Sequence, residues 1–277
     1  MKFEHFQDTV EDITARMRNA PLIHPPRWQS IDVSQNPNAA TYELLNYSFG
    51  LELPTEDLDF YRKAIGPNLP WADDHFKEER VGGDPLNPGK QWRNWPWARS
   101  ADSHRRAGEK DPQFDHSYAE RYWPKYAGRT EGGILETDNP DFHKHRGIRF
   151  DYGDLDDLVN VLANEPLTRQ AYLPVWFPED LQACVEKKRV PCSLGYHFIM
   201  RGDRLHIIYY LRSCDFMRHF RDDVYMTIRL LLWVLDQCRL TNLENSWDNI
   251  KAGTLTMHMT SLHIFKGDYP VLFKENK

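Results

Sequence analysis

A cysteine and an arginine close to each other along a predicted hairpin are the residues with the clearest chemistry. Cys192 lies before one run of β-forming residues, and Arg212 and Ser213 lie after a second run. A guanidinium beside a thiol can lower the pKa of the thiol and can bind an oxyanion such as phosphate. The pair therefore predicts a nucleophile next to an anion site.

The hairpin that positions this pair is predicted from two runs of β-formers, Leu194–Met200 and Leu205–Leu211, joined by a Gly-Asp turn. A two-residue turn with glycine first favours type II′ geometry. Arg201 then pairs with Arg204, and the same register places Cys192 opposite Ser213, next to the arginine that precedes it. A β-bulge would shift this register by one residue without separating the groups.

Composition limits the classes of function. The chain has 277 residues and a formal net charge of −6. This length predicts one domain, 1–277, and the acidic balance argues against direct binding to duplex nucleic acid. The N-terminus lacks an apolar signal core, and no stretch is apolar enough to span a membrane, which predicts a soluble cytoplasmic protein. No metal site is expected, and free thiols in a reducing cytosol are predicted for Cys184, Cys192, Cys214 and Cys238.

Four helices are predicted around the hairpin. They cover His5–Met17, Ala39–Phe49, Tyr152–Glu165 and Asp222–Cys238, and the second of them carries Glu43. The last two have apolar residues at helical spacing, which is typical of a buried stripe.

A polar segment at about 98–149 interrupts the pattern of the rest of the chain. We expect this segment to belong to the same domain and not to form a separate one. Aromatic side chains can anchor it to the core, namely Tyr118, Tyr122, Trp123 and Tyr126.

Six further sequence blocks occur in a fixed order around the hairpin. They and the hairpin resemble the thymidylate synthase superfamily, and most closely its bacteriophage dCMP and dUMP hydroxymethylases. The resemblance spans the chain from about Tyr42 to Phe265. The superfamily has a much shorter connection at about 98–149, which implies that this segment is an insertion, either a structured lid or an excursion at a dimer edge. The blocks are Tyr42–Leu45, Gly89–Pro96, Glu165–Arg169, Trp176–Asp180, Phe220–Asp223 and Ser261–Phe265.

The resemblance implies an α/β fold of the α+β type, with a large twisted mixed sheet flanked by helices and one sheet face forming a homodimer interface. It also implies covalent catalysis on a pyrimidine nucleoside monophosphate. Cys192 adds to carbon 6 of the base, and carbon 5 then attacks the one-carbon unit of 5,10-methylenetetrahydrofolate.

The binding roles implied for other residues follow the same resemblance. Arg212 and Ser213 bind the nucleotide phosphate, and Arg169 reaches the same phosphate from the other subunit, so the two active sites are shared. The family has two arginines at the position of Arg169, and here the second is Gln170. His263 contacts the sugar. The family's N-terminal phosphate-binding arginine has no clear counterpart, and Arg27 is the candidate.

Glu43 is implied to organise water and proton transfer around the base and the folate. Asp215 is implied to face the pterin ring of the folate, whose amino and imino protons need an acceptor. Trp71 and Trp95 are candidates for the walls of that pterin pocket.

Asp223 is the most informative departure from the synthases, which have asparagine at this position. A carboxyl can accept from the exocyclic amine of cytosine and, when protonated, donate to the ring nitrogen. Three other departures disfavour a synthase: Pro88 and Phe265 replace tyrosines, and the tail 273–277 lacks the apolar terminus that seals the folate from water. Admitting water gives a hydroxymethyl product instead of a methyl product.

The sequence therefore predicts a hydroxymethyltransferase that acts on dCMP, of the kind that makes modified nucleotides for phage DNA. Three alternatives remain: the same reaction on dUMP, a thymidylate synthase that forms dTMP, and an inactive nucleotide-binding relative. A cysteine hydrolase is disfavoured, because no histidine has a recognisable base-and-orienter context.

Overall fold

The computed structural model describes residues 1–28, 31–97, 114–127, 153–242 and 247–273. Most of the predicted insertion lies outside the described residues, and so does the side chain of Tyr126. Among the described residues no helix is both long enough and apolar enough to cross a membrane.

Within the described residues, eight strands form one mixed sheet. Six of them follow the order β1-β5-β10-β8-β7-β6, with β2 paired to β5 and β9 paired to β10, while β3 and β4 form a separate hairpin. The strands are β1 (Lys2–Phe3), β2 (Leu22–Ile23), β3 (Arg27–Trp28), β4 (Ile31–Asp32), β5 (Thr41–Glu52), β6 (Tyr172–Pro174), β7 (Ser193–Arg201), β8 (Arg204–Leu211), β9 (Cys214–Asp215) and β10 (Lys251–Phe265).

Helices flank this sheet, so the predicted mixed α/β architecture is confirmed. The α-helices are α1 (Phe6–Met17), α2 (Leu58–Ile65), α3 (Trp71–His75), α4 (Tyr118–Tyr122), α5 (Leu155–Asn164), α6 (Asp180–Val185), α7 (Phe220–Thr241) and α8 (Tyr269–Leu272). One π-helical turn covers Phe76–Arg80, and short 3₁₀ turns cover Pro37–Ala39, Trp92–Asn94, Pro124–Tyr126 and Trp247–Asn249.

The hairpin forms as predicted, with Arg201 paired to Arg204 and Gly202 at a φ of +59°. A bulge at Leu194 then shifts the register, because Gly195 pairs with Tyr210 but Ser193 pairs with Leu211. Cys192 therefore faces Arg212 instead of Ser213, and its carbonyl accepts the Arg212 N–H at 2.9 Å. The one-residue shift brings the thiol and the arginine closer in the ladder.

The prediction of a helix over Ala39–Phe49 is wrong, because Thr41–Glu52 is a strand. It pairs along its whole length with β10, including Glu43 with His263. These long-range hydrogen bonds override the helix propensity of the Glu-Leu-Leu segment. The other three predicted helices are present as α1, α5 and α7.

One face of the sheet is covered by α1 and α7, and α2 and α5 pack on α7. Alternate strand residues such as Phe49, Phe198 and Met257 fill this interface and are almost fully buried. The opposite face, called the outer face below, presents polar and aromatic side chains. It includes Ser48, Tyr172, His197, Tyr210 and His258.

Candidate functional site

The thiol of Cys192 lies at the start of β7 beside a firmly held arginine. The Nη2 atom of Arg212 is 3.9 Å from the Cys192 Sγ atom. The same guanidinium donates to the carbonyl of Pro191 at 2.8 Å and to that of Val190 at 3.0 Å. Because two backbone acceptors fix its position, Arg212 can present its remaining donors to an anion beside the sulfur.

The pKa of the Cys192 thiol is raised, which differs from the expectation of a lowered value. Loss of hydration raises this pKa, and this effect exceeds the lowering by Arg212, Arg189 and the Ser213 hydroxyl. Ionised Asp223 raises it further. The resting site therefore holds a thiol, and the arginine moderates the cost of forming the thiolate without removing it.

Asp223 lies in the first turn of α7 and faces the same site. Burial raises its pKa to about 7, with Asp222 adding to the rise and Arg80 opposing it. The thiol of Cys214 lies 3.8 Å from its Oδ2 atom. A carboxyl with such a pKa is available in both protonation states near neutral pH.

Three polar side chains form a row where β5, β10 and β9 lie side by side. His263 pairs with Glu43 on one side and with Asp215 on the other. The Glu43 carboxylate accepts from the Ser261 hydroxyl, and the Ser261 N–H donates to the Arg212 carbonyl at 3.2 Å. The strand therefore holds Glu43 near the arginine, although the predicted helix does not exist.

Asp215 is buried and accepts from the N–H groups of Met217 and Arg218 at 3.0 and 3.2 Å. Burial raises its pKa to about 6, against the lowering effect of Arg218. Trp95 lies close by, stacked on His219 with ring centroids 5.5 Å apart. These groups can receive a flat ligand that carries N–H donors.

Trp71 lies elsewhere in the site, stacked on His75 with centroids 4.8 Å apart, and its indole N–H donates to the Gln91 carbonyl. Within the described residues, no contact joins Trp71 to Trp95, so the structure does not bring the two predicted pterin-pocket residues together.

A cavity of about 300 Å³ opens beside Arg212. Its cationic lining includes Arg27, Lys187 and Lys188 together with Arg212, and Trp176 lies against it. This places Arg27, the candidate named from the sequence, on the same cavity as Arg212. Four cations around one cavity favour a multiply charged anion such as phosphate.

Three buried residues that sequence reasoning missed lie behind Asp223. Arg80 is only 4% exposed, and it donates to His75 at 3.0 Å and to the Tyr122 hydroxyl at 2.9 Å. The other ring nitrogen of His75 lies 3.0 Å from Glu79. Burial lowers the pKa of His75, so the neutral ring accepts from Arg80 and donates to Glu79. In the sequence these residues appear only as a charged stretch at the end of α3. The same pattern is typical of an exposed helix end, so it did not indicate a buried cluster.

The loop that carries Gly89 and Gln91 packs directly on this cluster. The Gln91 N–H donates to the Glu79 carboxylate. A Cβ atom added at Gly89 would meet the Glu79 carboxylate, so a larger residue would displace this group from His75 and Gln91.

A described part of the predicted insertion, 114–127, docks on the neighbouring loop. The Asn87 side chain bonds both the N–H and the carbonyl of Phe114 at 2.9 Å, and it donates to Glu120 at 3.0 Å. The Ser117 hydroxyl donates to the Leu86 carbonyl at 2.7 Å. Ser117 and Glu120 also form a capping box at the start of α4.

The other end of this segment is held by a bidentate ion pair, in which Arg121 donates to Asp180 at 2.8 and 3.0 Å. Tyr122 and Trp123 are buried, consistent with the predicted anchoring. The Tyr118 side chain points into the site, where its hydroxyl accepts from Ser193 at 3.1 Å. The insertion therefore contributes to the site, a contribution that the sequence alone did not reveal.

A thiol at a strand start, an arginine held beside it and a carboxyl on the facing helix are arranged around one site. The family model for thymidylate synthase matches residues 70–273, which include all three. The chain belongs to the thymidylate synthase family.

Curated relatives of this family share low identity with the chain. The thymidylate synthase of Sphingopyxis alaskensis is 25% identical over 191 residues, 69% of this chain and 50% of that protein. A putative thymidylate synthase of Methanococcoides burtonii is 28% identical over 117 residues, 42% of this chain and 48% of that protein. A putative thymidylate synthase of Methanosarcina barkeri is 25% identical over 118 residues, 43% and 48%. The chain spans about half the length of these relatives.

Arg169, which the family resemblance assigns to the phosphate site of a partner, is exposed and precedes β6. Its carbonyl lies 3.0 Å from the His197 ring, five residues along β7 from Cys192, so its backbone is roughly 15 Å from the thiol. Within one chain, therefore, no described contact joins Arg169 to Arg212.

Among the described residues, no three His, Cys, Asp or Glu side chains are grouped as a metal site requires.

Proposed function

We propose that the protein transfers a one-carbon unit from 5,10-methylenetetrahydrofolate to carbon 5 of dCMP and releases the 5-hydroxymethyl nucleotide. Membership of the thymidylate synthase family supports the one-carbon transfer. The observation that carries the choice of base is Asp223, a half-buried carboxyl with a pKa raised to about 7, at the wall of the site that faces Cys192.

Cys192 is the proposed nucleophile. Its sulfur adds to carbon 6 of the base, which makes carbon 5 nucleophilic enough to attack the one-carbon unit. Because the thiol pKa is raised in the resting site, the proton must leave as the base binds, and Arg212 stabilises the thiolate that forms. Arg212, Ser213 and Arg27 bind the phosphate in this proposal, and the cavity beside them supports it.

Asp223 reads the base in this proposal. The protonated carboxyl donates to N3 of cytosine while its other oxygen accepts from the exocyclic amine, so both polar atoms of that edge are paired. A neutral carboxyl also avoids placing a buried negative charge against the N3 lone pair. Arg80 and the Cys214 thiol stabilise the ionised form, which keeps the pKa near 7 and no higher.

Four further roles complete the proposal. His263 contacts the sugar, and Glu43, held by Ser261 on the neighbouring strand, orders water near it. Asp215 accepts from the pterin ring of the folate, with Trp95 as the adjacent wall. Trp71 fits the base end of the site better, because it stacks on His75 behind Asp223.

We also propose a homodimer with shared active sites, joined through the outer face of the sheet. Half-exposed aromatic rings lie on this face, with Tyr210 stacked on His258 and Tyr172 against His197. An open sheet face of this kind is typical of an interface between copies. Arg169 would then reach the phosphate site of the partner.

One assay tests the substrate and the product together. Tritium release from carbon 5 is compared for dCMP, dUMP and CMP with methylenetetrahydrofolate, and the product is weighed by mass spectrometry. The proposal expects dCMP to react fastest, with a gain of one hydroxymethyl group and no dihydrofolate. Faster release from dUMP would overturn the choice of base. Dihydrofolate formed in equal amount to product would instead establish a thymidylate synthase, the reaction named for the relatives.

A further inference from the structure

The hydroxyl of Tyr118 lies among the groups that surround the reacting base. It accepts a hydrogen bond from Ser193 at 3.1 Å, and Ser193 is the chain neighbour of Cys192. Ser193 in turn shares a 2.5 Å hydrogen bond with the Tyr209 hydroxyl. Three hydroxyl groups therefore form a chain that begins at buried Tyr209 and ends at half-buried Tyr118, beside the nucleophile.

The position of Tyr118 relative to the base follows from the proposed function. Carbon 5 of cytosine is bonded to carbon 6, where Cys192 adds, and to carbon 4, whose amine faces Asp223. The Tyr118 hydroxyl is bonded to Ser193, next to Cys192, and its ring lies against Arg80, whose charge also acts on Asp223, so the phenol lies between Cys192 and Asp223. A group near both faces the ring atom between carbons 6 and 4, which is carbon 5.

Arg80 prepares this phenol for proton transfer. Its guanidinium carbon lies 3.9 Å from the centroid of the Tyr118 ring. A cation over the ring stabilises negative charge that develops on the phenol oxygen. Burial nevertheless raises the pKa of Tyr118 to about 12, so the hydroxyl keeps its proton at neutral pH. A neutral phenol under a fixed cation suits a proton shuttle better than a permanent base.

We propose that Tyr118 is a catalytic residue that removes the proton from carbon 5. This rests on the function proposed above. After carbon 5 has bonded to the one-carbon unit, its C–H bond breaks and the proton passes to the Tyr118 oxygen. The electron pair forms the double bond to the methylene carbon and expels the folate nitrogen. In the same event the Tyr118 hydroxyl proton passes to that nitrogen, which leaves as tetrahydrofolate, so the phenol oxygen never carries two protons. Water then adds to the methylene carbon, and the electron pair that is displaced re-forms the double bond between carbons 5 and 6 and expels the Cys192 thiolate. The proton lost by the water restores the Cys192 thiol.

The test uses Tyr118→Phe, which keeps the ring over Arg80 and removes only the hydroxyl. The control is Tyr47→Phe, which loses a hydroxyl that donates to Asp12 at 2.7 Å outside the site. Turnover of dCMP should fall about 100-fold or more in Tyr118→Phe and stay within twofold of wild type in the control. The isotope effect on release of the carbon 5 hydrogen should rise in Tyr118→Phe, because that step becomes limiting.

A second measurement separates proton removal from earlier steps. The 5-fluoro analogue of dCMP has no proton at carbon 5, so the reaction should stop at the covalent complex with enzyme and folate. Tyr118→Phe should form this complex, detected by intact mass, as fully as wild type. Equal loss of complex and turnover would show a structural role, and turnover within threefold of wild type would also overturn the proposal. Wild type that forms no complex with the fluoro analogue of dCMP or dUMP would instead refute the proposed function.

Discussion

Replacing Asp223 by asparagine should exchange the base that the protein prefers. A protonated carboxyl matches the N3 and amino positions of cytosine, whereas an amide can accept from N3–H of uracil and donate to its carbonyl. Leaving one buried polar group unpaired costs about 1–3 kcal/mol, which is roughly a 5- to 150-fold change in kcat/KM for each base. The ratio of kcat/KM for dCMP to that for dUMP should therefore fall in Asp223→Asn by at least this factor.

The pH profile gives an independent measurement of the same group. The thiol of Cys192 makes kcat/KM for dCMP rise with pH, since its pKa is raised above 9.0. Deprotonation of Asp223 opposes this rise above its pKa of about 7. Wild type should level off near pH 7, and Asp223→Asn should continue to rise. Tritium release from dCMP and from dUMP across pH 5.5–9 measures both the base preference and the pH profile. An unchanged ratio of kcat/KM for the two bases in Asp223→Asn would refute the proposed role of Asp223.

Stability supplies the control for folding. The folded state holds the Asp223 proton more tightly than the unfolded chain, whose carboxyl titrates near 3.8. Wild type therefore loses stability as the pH rises from about 4 to about 7, and the loss persists above it, with an upper limit of roughly 4 kcal/mol. Asp223→Asn should melt no lower than wild type at pH 8, so lost dCMP turnover would not reflect unfolding.

Three further changes test the rest of the site. Cys192→Ala should abolish turnover and leave dCMP affinity largely intact, with Cys192→Ser nearly as inactive, because a hydroxyl is a far weaker nucleophile at neutral pH; isothermal titration and tritium release measure both. In a Cys184→Ala background, which removes the exposed thiol, the rate of alkylation of Cys192 by iodoacetamide should reach half its maximum only above pH 9.0. A lower midpoint would contradict the raised pKa of Cys192. Mixed Cys192→Ala and Arg169→Ala subunits should recover part of the activity after exchange, whereas a monomer by light scattering would exclude shared sites.

Local pattern was sufficient for the elements whose neighbours lie close in sequence. The hairpin register around Gly202 and the helices α5 and α7 follow from turn chemistry and apolar spacing. The error at Glu43 arose because Leu44 and Leu45 favour a helix in isolation, while their hydrogen-bond partners lie on β10, more than 200 residues later. The sequence allowed for a bulge in the hairpin but could not place it at Leu194, because no local feature of the sequence distinguishes this position.

The candidate site was predictable to the extent that each residue lies in a recognisable block. Cys192, Arg212 and Asp223 come from such blocks, and the structure places them around one site. Arg80 and Tyr118 do not, because their placement depends on burial and on docking between distant segments. The direction of the Cys192 pKa failed for the same reason: the neighbouring arginine is visible in the sequence, and the loss of hydration is not.

Three segments that are hydrogen-bonded to one another form the part of the candidate site behind Asp223, where the base is proposed to bind. Glu79 of the π-helical turn holds Gln91, while Leu86 and Asn87 of the same loop hold the segment that carries Tyr118. Loss of the hydrogen bonds between any two of these segments exposes the polar groups of the third. We therefore expect the three segments to open as one cooperative unit. Residues that are distant from Cys192, such as Asn87, therefore share in the rigidity of this wall of the candidate site. Substitutions among them should lower the proposed activity, because this wall then opens more often.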